Sequence, residues 1–226
     1  MFVYPTWIAP LFNKFSPLEE GEMKSRVEAL LARCGFRSSG LFVMDGSKRS
    51  SHGNAYFTGF GDNKRIVFFD TLLTRLDPPE VEAVLAHELG HFRRKHVAKR
   101  MAMLFAGSLA FLWLLGQLID APWFYAGLGV DAQNTALALI LFFLVMPVFT
   151  FPLGPLMSQL SRRHEFEADA YAAQHAAASD LIRALVKLYQ DNASTLTPDP
   201  LHSLFHDSHP PAAQRIAHLQ LQEKPA

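Results

Sequence analysis

Asp77-Pro78-Pro79-Glu80-Val81-Glu82-Ala83-Val84-Leu85-Ala86-His87-Glu88-Leu89-Gly90-His91 reads as a helix that carries chemistry on one side. Asp77 is placed to cap it, Pro78 suits its first turn, and Glu80 completes a box-like spacing. The spacing predicts a helix running on through Arg100. Within it, His87 and His91 stand four residues apart. Residues at that interval lie on one face, so both imidazoles can converge on a single ion. Two nitrogens at about 2.0–2.1 Å make half of a tetrahedral zinc site. Glu88 sits beside the first histidine but points off the metal axis. It is therefore free to take a proton from water instead of binding the metal.

A zinc-dependent hydrolase needs a third protein ligand and an open fourth position. The pentapeptide alone arises by accident in roughly 2% of chains of this composition, so the third ligand decides its meaning. His96 lies five residues past His91, whereas metzincin spacing would place a histidine at Val97 and a glycine at Arg94. That class is excluded. The better candidate lies in Ser161-Arg162-Arg163-His164-Glu165-Phe166-Glu167-Ala168-Asp169. Glu165 and Asp169 share a helical face, and Glu167 points away. Glu165 would complete a two-histidine, one-glutamate set from a second helix. Asp169, one turn on, is placed to orient a ligand histidine.

Between these segments the charge pattern changes. The chain has 226 residues, half of them hydrophobic, with 21 Lys+Arg balancing 21 Asp+Glu. That composition excludes a disordered chain, and the lack of a basic excess argues against a nucleic-acid partner. A lone cysteine, Cys34, excludes a disulfide scaffold and a multi-cysteine zinc finger. Residues 101–161 contain no Lys, Arg or Glu, only Asp120 and Asp131. Two apolar runs, 101–119 and 135–160, lie inside this stretch, and a membrane span needs about 20 apolar residues. Arg93, Arg94, Lys95, Lys99 and Arg100 precede the first run, and Arg162 and Arg163 follow the second. The link at 120–134 has no basic residue and carries Trp123, Phe124 and Tyr125. Basic flanks stay cytoplasmic and aromatic rings favour the membrane interface. The expectation is an integral membrane protein with a two-helix transmembrane hairpin and its catalytic part facing the cytoplasm. Pro147, Pro152 and Pro155 predict a kink or early end in the second run.

Residues 1–17, with three prolines, read as a loop, and 19–34 as an amphipathic helix. Short strands are expected at 40–44, 55–60 and 65–69, with turns at Asp45-Gly46 and Gly61-Asp62-Asn63. Helices are expected at 161–174, 180–189 and 212–222, with a proline-rich loop at 192–211. The fold class is therefore α+β, mainly α, with a small β-sheet. The domain order is 1–100, the hairpin 101–158, then 159–226.

The chain resembles the type I CAAX prenyl endopeptidases, integral-membrane zinc peptidases of the gluzincin class. The likeness rests on His87-Glu88-Leu89-Gly90-His91, the apolar hairpin, and the 161–169 segment in that order. It extends to Pro10-Leu11-Phe12-Asn13-Lys14-Phe15, to residues 41–60, to Asp199-Pro200-Leu201-His202-Ser203, and to Ser208-His209-Pro210 with Arg215. The resemblance implies a zinc metallopeptidase with one zinc per chain, held by His87, His91 and Glu165, and Glu88 as general base. It implies His209 and Arg215 as a pair that stabilises the oxyanion. The residues alone leave His209 a loop histidine, and His202 and His206 as surface or packing histidines. Asn54, Ala55 and Tyr56 begin a strand similar to the edge on which the family binds an extended peptide through backbone hydrogen bonds. The implied partners are a peptide or protein substrate, prenylated in the family, and a lipid membrane.

Family members carry further spans ahead of the metal helix, so this chain is expected to be a piece of a longer protein or a short relative. Two other readings compete. One is an HtpX-like protease that degrades damaged membrane proteins, which prenylated and unprenylated test peptides would separate. The other is an inactive, truncated zinc-binding module, which a closed four-ligand sphere would mark.

Overall fold

The computed structural model describes residues 8–50, 53–60, 63–191 and 198–223. The turn residues Gly61 and Asp62, the Ser51-His52 pair and the 192–197 part of the expected loop lie outside them. The chain divides into two compact units. The first comprises Met1–Arg94, Arg163–Asp199 and Pro210–Ala226, and the second Lys95–Arg162 and Pro200–His209.

The first unit opens with α1 (Ala9–Phe12), β1 (Phe15–Pro17), α2 (Glu22–Arg33) and β2 (Ser38–Met44). A 3-10 turn then leads to β3 (Ala55–Phe60), β4 (Asn63–Phe69), α3 (Asp70–Arg75) and α4 (Pro78–Arg93). The sheet order is β1-β2-β4-β3, with β2 and β4 parallel and both outer strands antiparallel to their neighbours. Strand β1 falls where a loop was expected. It is three residues long at a sheet edge, where Pro17 costs no ladder bond on its open side. Its outward position leaves β3 as the other terminal strand.

One face of β4 supplies Ile66 and Phe68 to the core, two residues apart as strand geometry requires. They join a core cluster with Val27 and Leu30 of α2, and Leu85 and Leu89 of α4. Fully burying each such side chain contributes about 1.5–3 kcal/mol. Helix α4 forms the expected capping box between Asp77 and Glu80. Its first turns are then clamped from two sides. The Glu80 carboxylate is buried and accepts from Lys187 Nζ at 2.7 Å. The Glu82 carboxylate accepts from Arg26 Nη1 at 3.0 Å and also pairs with Arg33. These pairs tie α4 to α2 and to the helix carrying Lys187, and so fix the axial position of His87.

Helix α4 ends at Arg93, not at Arg100. Lys95 adopts a left-handed conformation, φ 56°, the one non-glycine residue with positive φ among those described. A right-handed helix cannot pass through that geometry. The second unit starts here, with α5 (His96–Leu118), α6 (Pro122–Gly127) and α7 (Thr135–Thr150). Helix α8 (Leu153–His175) begins in it and runs into the first unit. Helix α5 is long and apolar enough to cross a membrane, with mean hydropathy 1.8 over its apolar window and none of that window buried. Helices α7 and α8 pass the same test as a pair bent by 60°. The bend falls at Pro152, and Pro155 lies in the first turn of α8, where a missing amide proton costs nothing. The aromatic link packs internally: Phe124 and Tyr125 join Ala138 and Phe142 in a small core. The Tyr125 hydroxyl donates to the Ile119 carbonyl at 2.7 Å.

The remaining elements are α9 (Ala178–Asp191), α10 (Pro200–His206) and α11 (Ala212–Gln220). Helix α10 replaces part of the expected loop, because Pro200 occupies the first helical position that proline favours. In the first unit α9 packs on α4 through Leu181 and Leu185, and Leu219 of α11 closes the core.

Candidate metal centre

Helix α4 places His87 and His91 one turn apart, and α8 brings Glu165 against them. Helices α4 and α8 come this near because position 90 is glycine. A β-carbon there would meet the Ala168 backbone at 2.9–3.0 Å. Glu165 lies one turn before Ala168 and Asp169 directly after it, so the close approach delivers both carboxylates to the histidines.

The two Nε2 atoms are 3.1 Å apart. Glu165 Oε2 lies 3.5 Å from His87 Nε2, and Glu165 Oε1 lies 3.3 Å from His91 Nε2. A tetrahedral ion with ligands at about 2.0–2.1 Å holds them about 3.3–3.4 Å apart. The three donors thus have the spacing and the chemistry of a zinc-type site. They form the one such His/Cys/Asp/Glu group among the described residues.

Behind the cluster, His87 Nδ1 donates to Asp169 Oδ1 at 2.8 Å. That bond puts the ring proton on Nδ1 and leaves the Nε2 lone pair facing the other donors. Asp169 is fully buried and accepts from Arg215 Nε at 2.8 Å and Nη2 at 2.6 Å. Arg215 Nη1 lies 3.5 Å from Glu165 Oε2. Burial disfavours a charged His87, but the Asp169 and Glu165 carboxylates outweigh it and hold its pKa above the usual histidine value. Burial also opposes ionising Glu165, yet His87 and His91 keep its pKa far below the usual glutamate value. His87 and Arg215 do the same for Asp169. Two carboxylates against one guanidinium leave the cluster with one net negative charge while the imidazoles are neutral. A buried site of that sign is suited to a divalent cation.

The structure places the other expected residues as follows. Glu88 is half-buried on α4, rotated away from the donor cluster by its one-residue offset from His87. Glu167 pairs with Arg163 at 3.3 Å, away from the metal face as its position predicts. Asn54, Ala55 and Tyr56 lie at the start of β3, where Ala55 and Tyr56 pair with Phe68 and Val67 of β4. The Asn54 side chain accepts from the Ala55 amide at 2.8 Å. His209 is exposed in the second unit, its Nδ1 3.0 Å from Ser208 Oγ.

Two features escape the sequence reading. Gly90 is one, although a glycine inside a helix weakens it and so signals a close backbone approach. The other is a chain of three rings: Phe57 of β3 meets Phe36 at 5.6 Å, and Phe36 meets Phe92 of α4 at 5.2 Å. Phe92 follows Glu88 by one turn, so this chain sets β3 beside the Glu88 face of the metal helix. No spacing rule links three such distant phenylalanines.

The pattern of Peptidase family M48 matches residues 17–223. A CAAX prenyl protease 1 homolog of Arabidopsis thaliana is 41% identical over 231 residues, covering 99% of this chain and 53% of that protein. CAAX prenyl protease 1 of Saccharomyces cerevisiae is 40% identical, covering 97% of this chain and 52% of its own length. The crystal structure of S. mikatae Ste24p superposes with a TM-score of 0.86 at 39% identity, over 96% of this chain and 54% of that one. The chain therefore spans about half the length of the relatives it matches. Since the family pattern takes in the metal helix, the Glu165 helix and nearly everything between the termini, the chain belongs to Peptidase family M48.

Proposed function

We propose that this chain is the peptide-cleaving part of a membrane zinc endopeptidase, with His87, His91 and Glu165 as the ligands of one zinc ion. The observation that carries the reading is the mutual spacing of the three donor atoms, 3.1–3.5 Å, at the contact of two helices. Zinc bound there supplies Lewis acidity, polarising a peptide carbonyl and making water a better proton donor. Glu88 accepts that proton and passes it to the leaving amine. Asp169 locks the His87 tautomer and is itself held by Arg215. The Nη1 end of Arg215 lies on the Glu165 side of this network and stabilises the negative charge that develops on the carbonyl oxygen, while the same role for His209 rests on the family resemblance alone.

The substrate is an extended peptide that adds to β3 at Asn54, Ala55 and Tyr56, held through its backbone. The ring chain from β3 to Phe92 supports this, because it sets that edge beside the Glu88 face. The likeness to CAAX prenyl proteases favours a prenylated peptide over a quality-control substrate. Residues 101–158 act as a membrane hairpin between 1–100 and 159–226. Its basic flanks favour the cytoplasmic side for the peptidase parts.

The test is metal analysis and cleavage of matched prenylated and unprenylated peptides by the purified chain, with Glu88→Gln as control. The expected result is one zinc per chain and cleavage that the control variant lacks. Zinc-loaded protein that cleaves neither peptide would overturn the assignment.

A further inference from the structure

We propose that the basic end of α5 is a recognition site for anionic phospholipid headgroups. Lys95, Lys99 and Arg100 are all exposed. Lys95 and Lys99 are one helical turn apart, joined by the Lys99 N–H to Lys95 carbonyl bond at 3.0 Å. No carboxylate pairs with any of the three among the described residues. The acids of the second unit are Asp120, Asp131 and Asp207. Asp120 follows the far end of α5, and 23 residues of helix span about 34 Å. Three exposed cations within two turns, with no acid among the described residues paired to them, form a positive patch that attracts an external anion.

What lies next to them identifies that anion. Val97, Met101, Leu104 and Phe105 are exposed on the same helix, within about two turns of the cations. A soluble phosphate would answer the charge and leave that apolar surface in water. A phospholipid answers both, its headgroup at the cations and its chains along the apolar shaft, while the lysine and arginine stems reach up to the interface. Each cation near an anionic bilayer surface contributes about fivefold in binding, and a zwitterionic lipid offers no such term. The bland alternative is a solvated flank indifferent to headgroup.

The inference rests on reading α5 as a span, and the experiment separates the two. The 226-residue chain in neutral detergent is titrated with phosphatidylserine and with phosphatidylcholine bearing the same fluorescent acyl chain. Energy transfer from tryptophan reports binding. The expected result is a preference for phosphatidylserine that weakens with salt. Removing the charges in Lys95→Gln, Lys99→Gln and Arg100→Gln together should lower it about fivefold per charge. Lys95→Arg with Lys99→Arg should keep it. Equal binding of both lipids, salt independence, an unchanged preference in the triple variant, or displacement by equimolar inorganic phosphate each overturns the inference. Alkaline extraction of native membranes provides the separate check. Release of the chain into the aqueous phase would refute the span, whereas retention without headgroup preference refutes the lipid site alone.

Discussion

Replacing Gly90 by alanine probes whether the contact between α4 and α8 sets the donor geometry. The added β-carbon falls 2.9 Å from Ala168 Cα, 3.0 Å from the Ala168 carbonyl oxygen and 3.1 Å from Tyr171 Cβ. Ordinary contact begins at 3.4 Å. The two nearest obstacles are backbone atoms, which cannot rotate away. The helices must therefore separate by about 0.4–0.5 Å in an interior packed like a crystal. Two stability terms oppose each other. Alanine is better than glycine inside a helix by about 1 kcal/mol, and overpacking costs about 1–3 kcal/mol. The net loss of folding stability is then about 0–2 kcal/mol. The metal site is less tolerant, because ligand distances must hold within about 0.2 Å, half the forced separation. Zinc affinity should fall about 10–100-fold, the range seen when ligand support is disturbed. Chelator competition measures the affinity, and thermal unfolding of the zinc-free protein measures the stability. Gly107→Ala and Gly116→Ala, whose added carbons meet nothing within 4 Å, serve as controls that leave zinc binding unchanged. Native zinc affinity in Gly90→Ala, with a zinc-free form stabilised by about 1 kcal/mol, would mean that helix propensity alone governs this position and the reasoning is wrong.

Other outcomes follow from the same geometry. Glu88→Gln should keep its zinc and lose about 10²–10⁴-fold or more in peptide cleavage, read by metal analysis beside a peptide assay. Glu165→Ala should release zinc to a weak chelator that leaves the native protein loaded; unchanged metal content would point to another third ligand. Arg215→Ala strands the buried Asp169 charge and should cost about 3–5 kcal/mol in urea unfolding, with Arg215→Lys recovering part of it. Equal stability of Arg215→Ala and the native chain would show that Asp169 is satisfied without its guanidinium.

The metal helix was legible because its signals are local. The Asp77 cap, the Glu80 box and the His87–His91 interval all fall within one short segment. The helical period also narrowed the third donor to the Glu165–Asp169 face. Ligand chemistry made both acids candidates for a partnership with His87, but their actual convergence on it is a tertiary fact, created by Gly90 against Ala168. The Asp169–Arg215 pair is of the same kind, since the partners are 46 residues apart. The strands at 55–60 and 40–44 showed through their β-branched and aromatic content. Strand β1 and helices α1, α3 and α10 were invisible because three to seven residues carry no period. The end of α4 was hidden for another reason. Phe92-Arg93-Arg94-Lys95-His96 contains no glycine or proline, and Lys95 takes a left-handed conformation against its own preference.

X-ray absorption at the zinc edge of the purified full chain tests the three-donor site most directly. One zinc per chain is expected, with two imidazole nitrogens and a carboxylate oxygen at about 2.0–2.2 Å and one further light-atom ligand. A chain supplied with zinc that binds none, or binds it through fewer than two imidazoles, would contradict the account.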